Sequence, residues 1–323
     1  MTVAPPAVAP VPVSAGRRAA GVAAAILCGV ALAAQTRING ELAVRIDDGI
    51  AAAVVSFGSG LLLLAVLVPA MPAGRRGLRR LREALRGGGL RPVQLLGGAC
   101  GAFLVASQGL TVATLGVAVF IVAVVAGQST SGLLVDHAGA GPAGRQPVTA
   151  ARIGGSVLTV LAVLLSVADR LGHPGTLVLA LLPLAAGVGI AWQQAVNGHV
   201  RAVSGSAMVA GFVNFTAGTV VLLVALAVDL AVRGRPDALP ADWWLYTGGP
   251  IGIVFIALGA AVVRYTGVLL LGLGMIAGQV TGAVALDLLV PASAGRPAGT
   301  TLAGAALTLV AVLIAVLPAR RRR

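Results

Sequence analysis

Polar side chains are scarce in this 323-residue chain, and the few present are patterned. Gln35 and Asn39 stand four residues apart in AAQTRINGELAV, and Gln193 and Asn197 repeat the spacing in GIAWQQAVNGHV. On a helix that spacing puts both amides on one face. An amide offers donors and an acceptor without charge, so each pair suits a gate or a substrate contact. Asn-Gly after an apolar run is equally the signature of a helix C-cap, and the spacing admits both readings. Gln128, Gln279 and Asn214 are further amides placed near mid-span within uncharged runs. There a polar group is unfavourable unless it faces a partner helix, a cavity or a substrate, which makes all seven amides pathway candidates.

Charged candidates are rarer. Asp136 and Asp287 each follow a glutamine by eight residues and precede an arginine, Arg145 or Arg296, by nine. They read as interfacial acids paired with the next connector's arginine, with proton or cation coupling as the sharper alternative. Arg264 stands alone between two apolar runs, as a topology signal or as a lure for an anionic substrate. Enzyme chemistry has no foothold. His137, His173 and His199 lack Cys, Glu or His neighbours at metal spacing, so no metal site is expected. Glu41 and Glu83 are the only glutamates, and neither falls in an apolar run. P-loop and nucleophile-elbow patterns are missing, and no cofactor is expected. Cys28 and Cys100 read as inert core thiols.

The elements that position these residues follow from composition. With 58% hydrophobic residues, 10% charged residues and a mean hydropathy of +0.99, the chain is a polytopic membrane protein. No ionisable side chain interrupts residues 19 to 36, or the stretch from Pro92 to Val135. The expected spans are 18–36, 50–71, 94–110, 114–135, 152–168, 177–199, 206–228, 244–263, 266–286 and 299–317. They lack the alternation of barrel strands, so the expected class is all-α with about ten transmembrane helices. The Pro- and Ala-rich residues 1–16 read as a disordered tail. No convincing cleavage site follows the first apolar run, so that run is read as a retained helix.

A net charge of +13 raises the question of nucleic acid, but the arginines follow the membrane instead. Seven crowd residues 75–91, and four close the chain at Arg320 to Arg323. The positive-inside rule then puts both termini in the cytoplasm and leaves only Arg37, Arg45, Arg170, Arg233, Arg235 and Arg296 outside. The basic segment 74–91 reads chiefly as a topology anchor, with anionic lipid as its alternative ligand. Trp243, Trp244 and Tyr246 read as an interfacial aromatic anchor. Expected partners are a small-molecule substrate, membrane lipid and, in a homodimer, a second copy of the chain; nucleic acid is excluded.

The chain also repeats itself. Gln35, Asn39 and Gly40 recur as Gln193, Asn197 and Gly198, an offset of 158 residues that also carries Phe57 onto Phe215 and Gly60 onto Gly218. At an offset of 151, Gly98 and Gly101 recur as Gly249 and Gly252, and GQ with its Asp (127, 128, 136) recurs at 278, 279 and 287. The halves are 17–172 and 173–319, followed by the basic end at 320–323. Five spans per half force opposite orientations, the inverted-repeat plan of secondary transporters. The first pair of amides then ends its helix at the outer surface, and the second at the cytoplasmic one.

The order Q...N-G, F..G, G..G and GQ with Asp eight residues on, present twice, resembles the YdcZ-like family of the drug/metabolite transporter superfamily. Its members are usually five-span proteins, so this chain resembles two of them fused, over residues 17 to 318. The resemblance implies an inner-membrane exporter and names no ligand. The expected function is therefore a secondary exporter of small metabolites or drug-like compounds by alternating access, with proton coupling. A passive channel or a non-transporting scaffold or sensor are the alternatives.

Overall fold

The computed structural model describes residues 15–142, 144–145, 147–170, 174–290 and 296–315. His173, the C-terminal arginines and the expected tail up to residue 14 lie outside the described residues; Ala15 and Gly16 already belong to the first helix. Its helices are α1 (Ala15–Arg45), α2 (Gly49–Ala70), α3 (Pro72–Arg86), α4 (Gly97–Leu115), α5 (Val117–Ala138), α6 (Ala150–Ser166), α7 (Pro174–Ser204), α8 (Ala207–Arg233), α9 (Gly248–Leu289) and α10 (Gly299–Ala315). Among the described residues there is no strand. Six helices of the described residues are long and apolar enough to cross a membrane by length and composition. The fold is thus an all-helical polytopic bundle of two repeats.

Local chemistry sets the breaks between helices. The Asp48 carboxylate caps α2 by accepting the N–H groups of Ile50 and Ala51, each at 2.8 Å. Ser206, its repeat counterpart, caps α8 by accepting from Val209 at 3.3 Å. Between α4 and α5 the chain turns at Gly116, whose φ of 80° an L side chain rarely adopts.

Packing obeys the repeat. α1 lies against α9, and α7 lies against α4 and α5; α2 meets α8 and α6 meets α10. A side chain on Gly29 would strike the Met275 carbonyl and the Gln279 amide, and one on Gly187 would strike the Val124 carbonyl and the Gln128 amide. Gly278 against Ile26 and Gly127 against Leu184 form the matching pair from the other direction. These contacts map onto one another at the sequence offsets of 158 and 151. Backbones this close are the usual solution where lipid offers no hydrophobic drive for helix association.

The helical run of α9 covers both expected spans 244–263 and 266–286. At about 1.5 Å per residue a straight helix of that length would far exceed the bilayer core. Its contacts resolve this. Gly248 and Gly252 meet Asn39 and Gln35, whereas Gly274, Gly278 and Gly282 meet Ala25, Ile26 and Val30. The first arm therefore runs antiparallel to α1 and the second parallel, so the chain reverses between Ile253 and Gly274. Gly267, the counterpart of Gly116, lies in that interval.

Two expected helix ends are corrected. α1 runs on to Arg45 and α7 to Ser204, past the expected ends at 36 and 199, so Asn39-Gly40 and Asn197-Gly198 are interior and not C-caps. In α1 the ion pairs of Glu41 with Arg37 and Arg45, at 3.8 and 3.2 Å, support the extra turns. The basic helix α3 has no counterpart in the second half. It buries Gly74, Gly77 and Leu81 while its arginines remain exposed. Gly77 seats on Val209 and the Ser204 carbonyl, so α3 docks on the α7–α8 turn.

Substituting Gly127 or Gly278 by Ala forces a methyl group into a backbone carbonyl. Each change is expected to lower unfolding stability in detergent by about 1–3 kcal/mol. Gly132→Ala, where a Cβ meets nothing within 4 Å, is expected to stay within about 0.5 kcal/mol. Equal midpoints for all three variants in thermal unfolding would contradict the packing.

Candidate functional site

The two halves meet at an aromatic pair. The rings of Phe57 on α2 and Phe215 on α8 lie with centroids 5.0 Å apart and planes inclined by 40°. Glycines make room for them. A Cβ on Gly60 would collide with the Phe215 ring, and one on Gly218 with the Phe57 ring. Gly101 and Gly252 each bring a ring edge beside an amide, Phe57 beside Gln193 and Phe215 beside Gln35.

One turn further along, in opposite directions, come Asn39 and Asn197. Asn39 is 1% exposed and faces Gly248, and Asn197 faces Gly97. The amides of each half therefore press on a glycine surface of the other half, where the missing side chain leaves room for them. In the first cluster a chain of hydrogen bonds links Thr36, Gln108 and Asn39, with Gln35 bonded beside it. Thr36 Oγ1 donates to the Leu32 carbonyl at 2.9 Å and accepts from Gln108 Nε2 at 3.1 Å. Gln108 Oε1 accepts from Asn39 Nδ2 at 2.6 Å, and Gln35 Nε2 donates to the Gly248 carbonyl at 2.7 Å. In the second cluster Asn214 Oδ1 accepts from both Gln193 Nε2 at 2.8 Å and Asn197 Nδ2 at 3.0 Å.

Of the seven candidate amides, five thus fall into these two clusters. Gln128 and Gln279 occupy the glycine seams, α5 with α7 and α1 with α9, where their backbone amides face Gly187 and Gly29. Gln108, Thr36 and the aromatic pair complete the site. Gln108 sits in an uncharged run like Gln128 and is identifiable by the same criterion. Thr36 carries no such signal, since a lone threonine in a helix commonly bonds its own backbone.

The acids are rearranged relative to expectation. Asp287 is 3% exposed, and its oxygens accept from Val117 at 3.1 Å and Ala118 at 2.7 Å, capping α5 just past Gly116. Asp136 pairs with Arg152, not with Arg145, whose Nε donates to the His137 carbonyl at 3.0 Å. Arg152 stands in the first turn of α6, where its guanidinium reaches across to the α5 end, whereas Arg145 is held back in the connector. An Asp287–Arg296 pair is not among the ion pairs of the described residues. The side chain of Arg264 lies outside the described residues.

A second acidic feature escapes the sequence. Asp229, near the end of α8, faces Asp48 and Arg233, and its Oδ2 is buried without a donor. Their repeat counterparts are Met71 and Ser206, so paired carboxylates occupy one end of the bundle only. At the opposite end a hollow of about 430 Å³ is lined by Arg91, Gln94, Trp192 and His199.

Truncating Asn39 and Gln108 to Ala, singly and together, measures the link between α1 and α4. A double-mutant cycle on unfolding is expected to give a coupling of about 0.6–1.7 kcal/mol, the range of interhelical hydrogen bonds in membranes. Strict additivity would dissolve the cluster.

A family model described as "Putative inner membrane exporter, YdcZ" matches residues 20–165 and, a second time, residues 178–314. None of the curated proteins matches the chain.

Proposed function

Because the chain belongs to the YdcZ family of the drug/metabolite transporter superfamily, we propose that it is a proton-driven secondary exporter of small metabolites or drug-like compounds. One observation carries the reading. Two repeat-related amide clusters converge on the Phe57–Phe215 contact, where the halves meet. Inverted-repeat transporters bind their substrate near the midplane between repeats and expose it to each side by rocking one repeat against the other. Here the clusters bear on glycine surfaces of the opposite half, so rocking would uncover amides without tearing apart side-chain packing. The aromatic contact closes the centre, which favours a gated carrier over an open channel.

Orientation follows from the arginines. The basic helix α3 faces the cytoplasm under the positive-inside rule, with both termini on the same side. The hollow containing Arg91 and His199 is then the inner vestibule, and the Asp48–Asp229 pair lies at the outer end. Asp287 and Asp136 already serve an N-cap and an ion pair. Asp229 has an unserved oxygen beside a second carboxylate, and protonation would let it donate to Asp48. A proton entering from outside and leaving as the halves rock would couple export to the gradient.

Counterflow in proteoliposomes with a solute panel tests this, with and without a pH gradient. At least one solute is expected to show counterflow that the gradient accelerates. Asp229→Asn is expected to keep counterflow while losing the acceleration. Flux that runs only down its gradient, without counterflow, would make the protein a passive pore.

A further inference from the structure

The hydrogen-bond chain of the first cluster has a fixed direction. The Leu32 carbonyl can only accept, so Thr36 must spend its proton there. Thr36 Oγ1 then presents an acceptor, which turns the amino group of Gln108 toward it and the Gln108 carbonyl toward Asn39. That in turn commits the amino group of Asn39. What remains is Asn39 Oδ1, an oxygen 1% exposed at its residue, aimed at Gly248 and without a donor. Gln35 is oriented by the same logic, its amino group spent on the Gly248 carbonyl. In the second cluster both amino groups are spent on Asn214, and Gln193 Oε1 is likewise buried without a donor.

A buried oxygen left without a donor loses the hydrogen bonds that water would give it, and here two such oxygens sit at the same inter-repeat interface. Their surroundings are glycine, so separating the halves would open a space whose one wall carries carbonyl oxygens and whose other wall is bare backbone. No carboxylate takes part in either cluster. On the carrier reading given above, on which this step rests, we infer that the site binds its solute through N–H donors, as a primary amine or ammonium compound. The orphan oxygens of Asn39 and Gln193 accept those hydrogens, and the Phe57–Phe215 pair receives the apolar remainder. Carbonyl oxygens are an established environment for monovalent cations that shed water.

The test uses the full chain in proteoliposomes with 2-phenylethylamine and its N,N,N-trimethyl analogue, which keeps the charge and loses every N–H. Counterflow is expected for the primary amine, with the trimethyl analogue at least about tenfold weaker as competitor, the loss expected for a charge-assisted hydrogen bond. Asn39→Leu and, independently, Gln193→Met are each expected to raise the KM for the amine by about tenfold and to leave weak binding of the analogue unchanged. Monodisperse elution in detergent checks that each variant folds, and either variant alone suffices. Equal competition by the two compounds, or a KM unmoved in both variants, overturns the inference. Counterflow of another solute with none of the amine also overturns it while sparing the carrier reading. No counterflow of any solute in the panel removes the carrier reading and this inference together.

Discussion

The first helix of each half is clamped between two helices of the other half. α1 lies between the two arms of α9, and α7 lies against α4 and α5. In a bilayer no hydrophobic drive holds such an arrangement, so it depends on backbones approaching to van der Waals distance. Glycine at four repeat-related places on the seams permits that approach: Gly29 and Gly278 on one side, Gly127 and Gly187 on the other. Once the clamps are set, α2 and α8 are forced together at the centre, and their phenylalanines meet. The offsets of 158 and 151 in sequence become a symmetry of contacts.

The same closeness governs the polar residues. An amide in hydrocarbon must be bonded, and the clamps bring Gln35 and Asn39 against α9 and Gln193 and Asn197 against α4. The bonding solutions differ between the halves because the neighbours differ. Gln108 and Thr36 complete the first cluster; Asn214, where the first half has Ser56, completes the second. Two halves with one backbone plan thus offer unlike surfaces. The acids are unequal as well, with Asp48 and Asp229 together at one end and their counterparts Ser206 and Met71 at the other.

Membership in an exporter family and the two-repeat plan rest on features that are local in sequence: apolar run length, arginine placement and recurring short motifs. Helix ends were less legible. Asn-Gly after an apolar run resembles a C-cap, yet both helices continue, since burial against the other half supplies what a terminus would otherwise need. Asp136 found Arg152 rather than Arg145 because side-chain reach across a helix start matters more than distance along the chain.

By itself the sequence determined that the chain crosses the membrane as helices, that it does so as two related halves, and which amides recur between them. These are properties of composition and period, which the bilayer reads residue by residue. Only the tertiary structure decided which atoms of those amides are spent and which are left. The direction of a hydrogen-bond chain depends on what stands at its end, here the Leu32 carbonyl for one cluster and Asn214 for the other. Neither the partnership of Asn39 with Gln108, 69 residues away, nor the meeting of Asp48 with Asp229 across two helices has any trace in local spacing. Such contacts exist because two chain segments are packed together, and packing is a property of the folded whole.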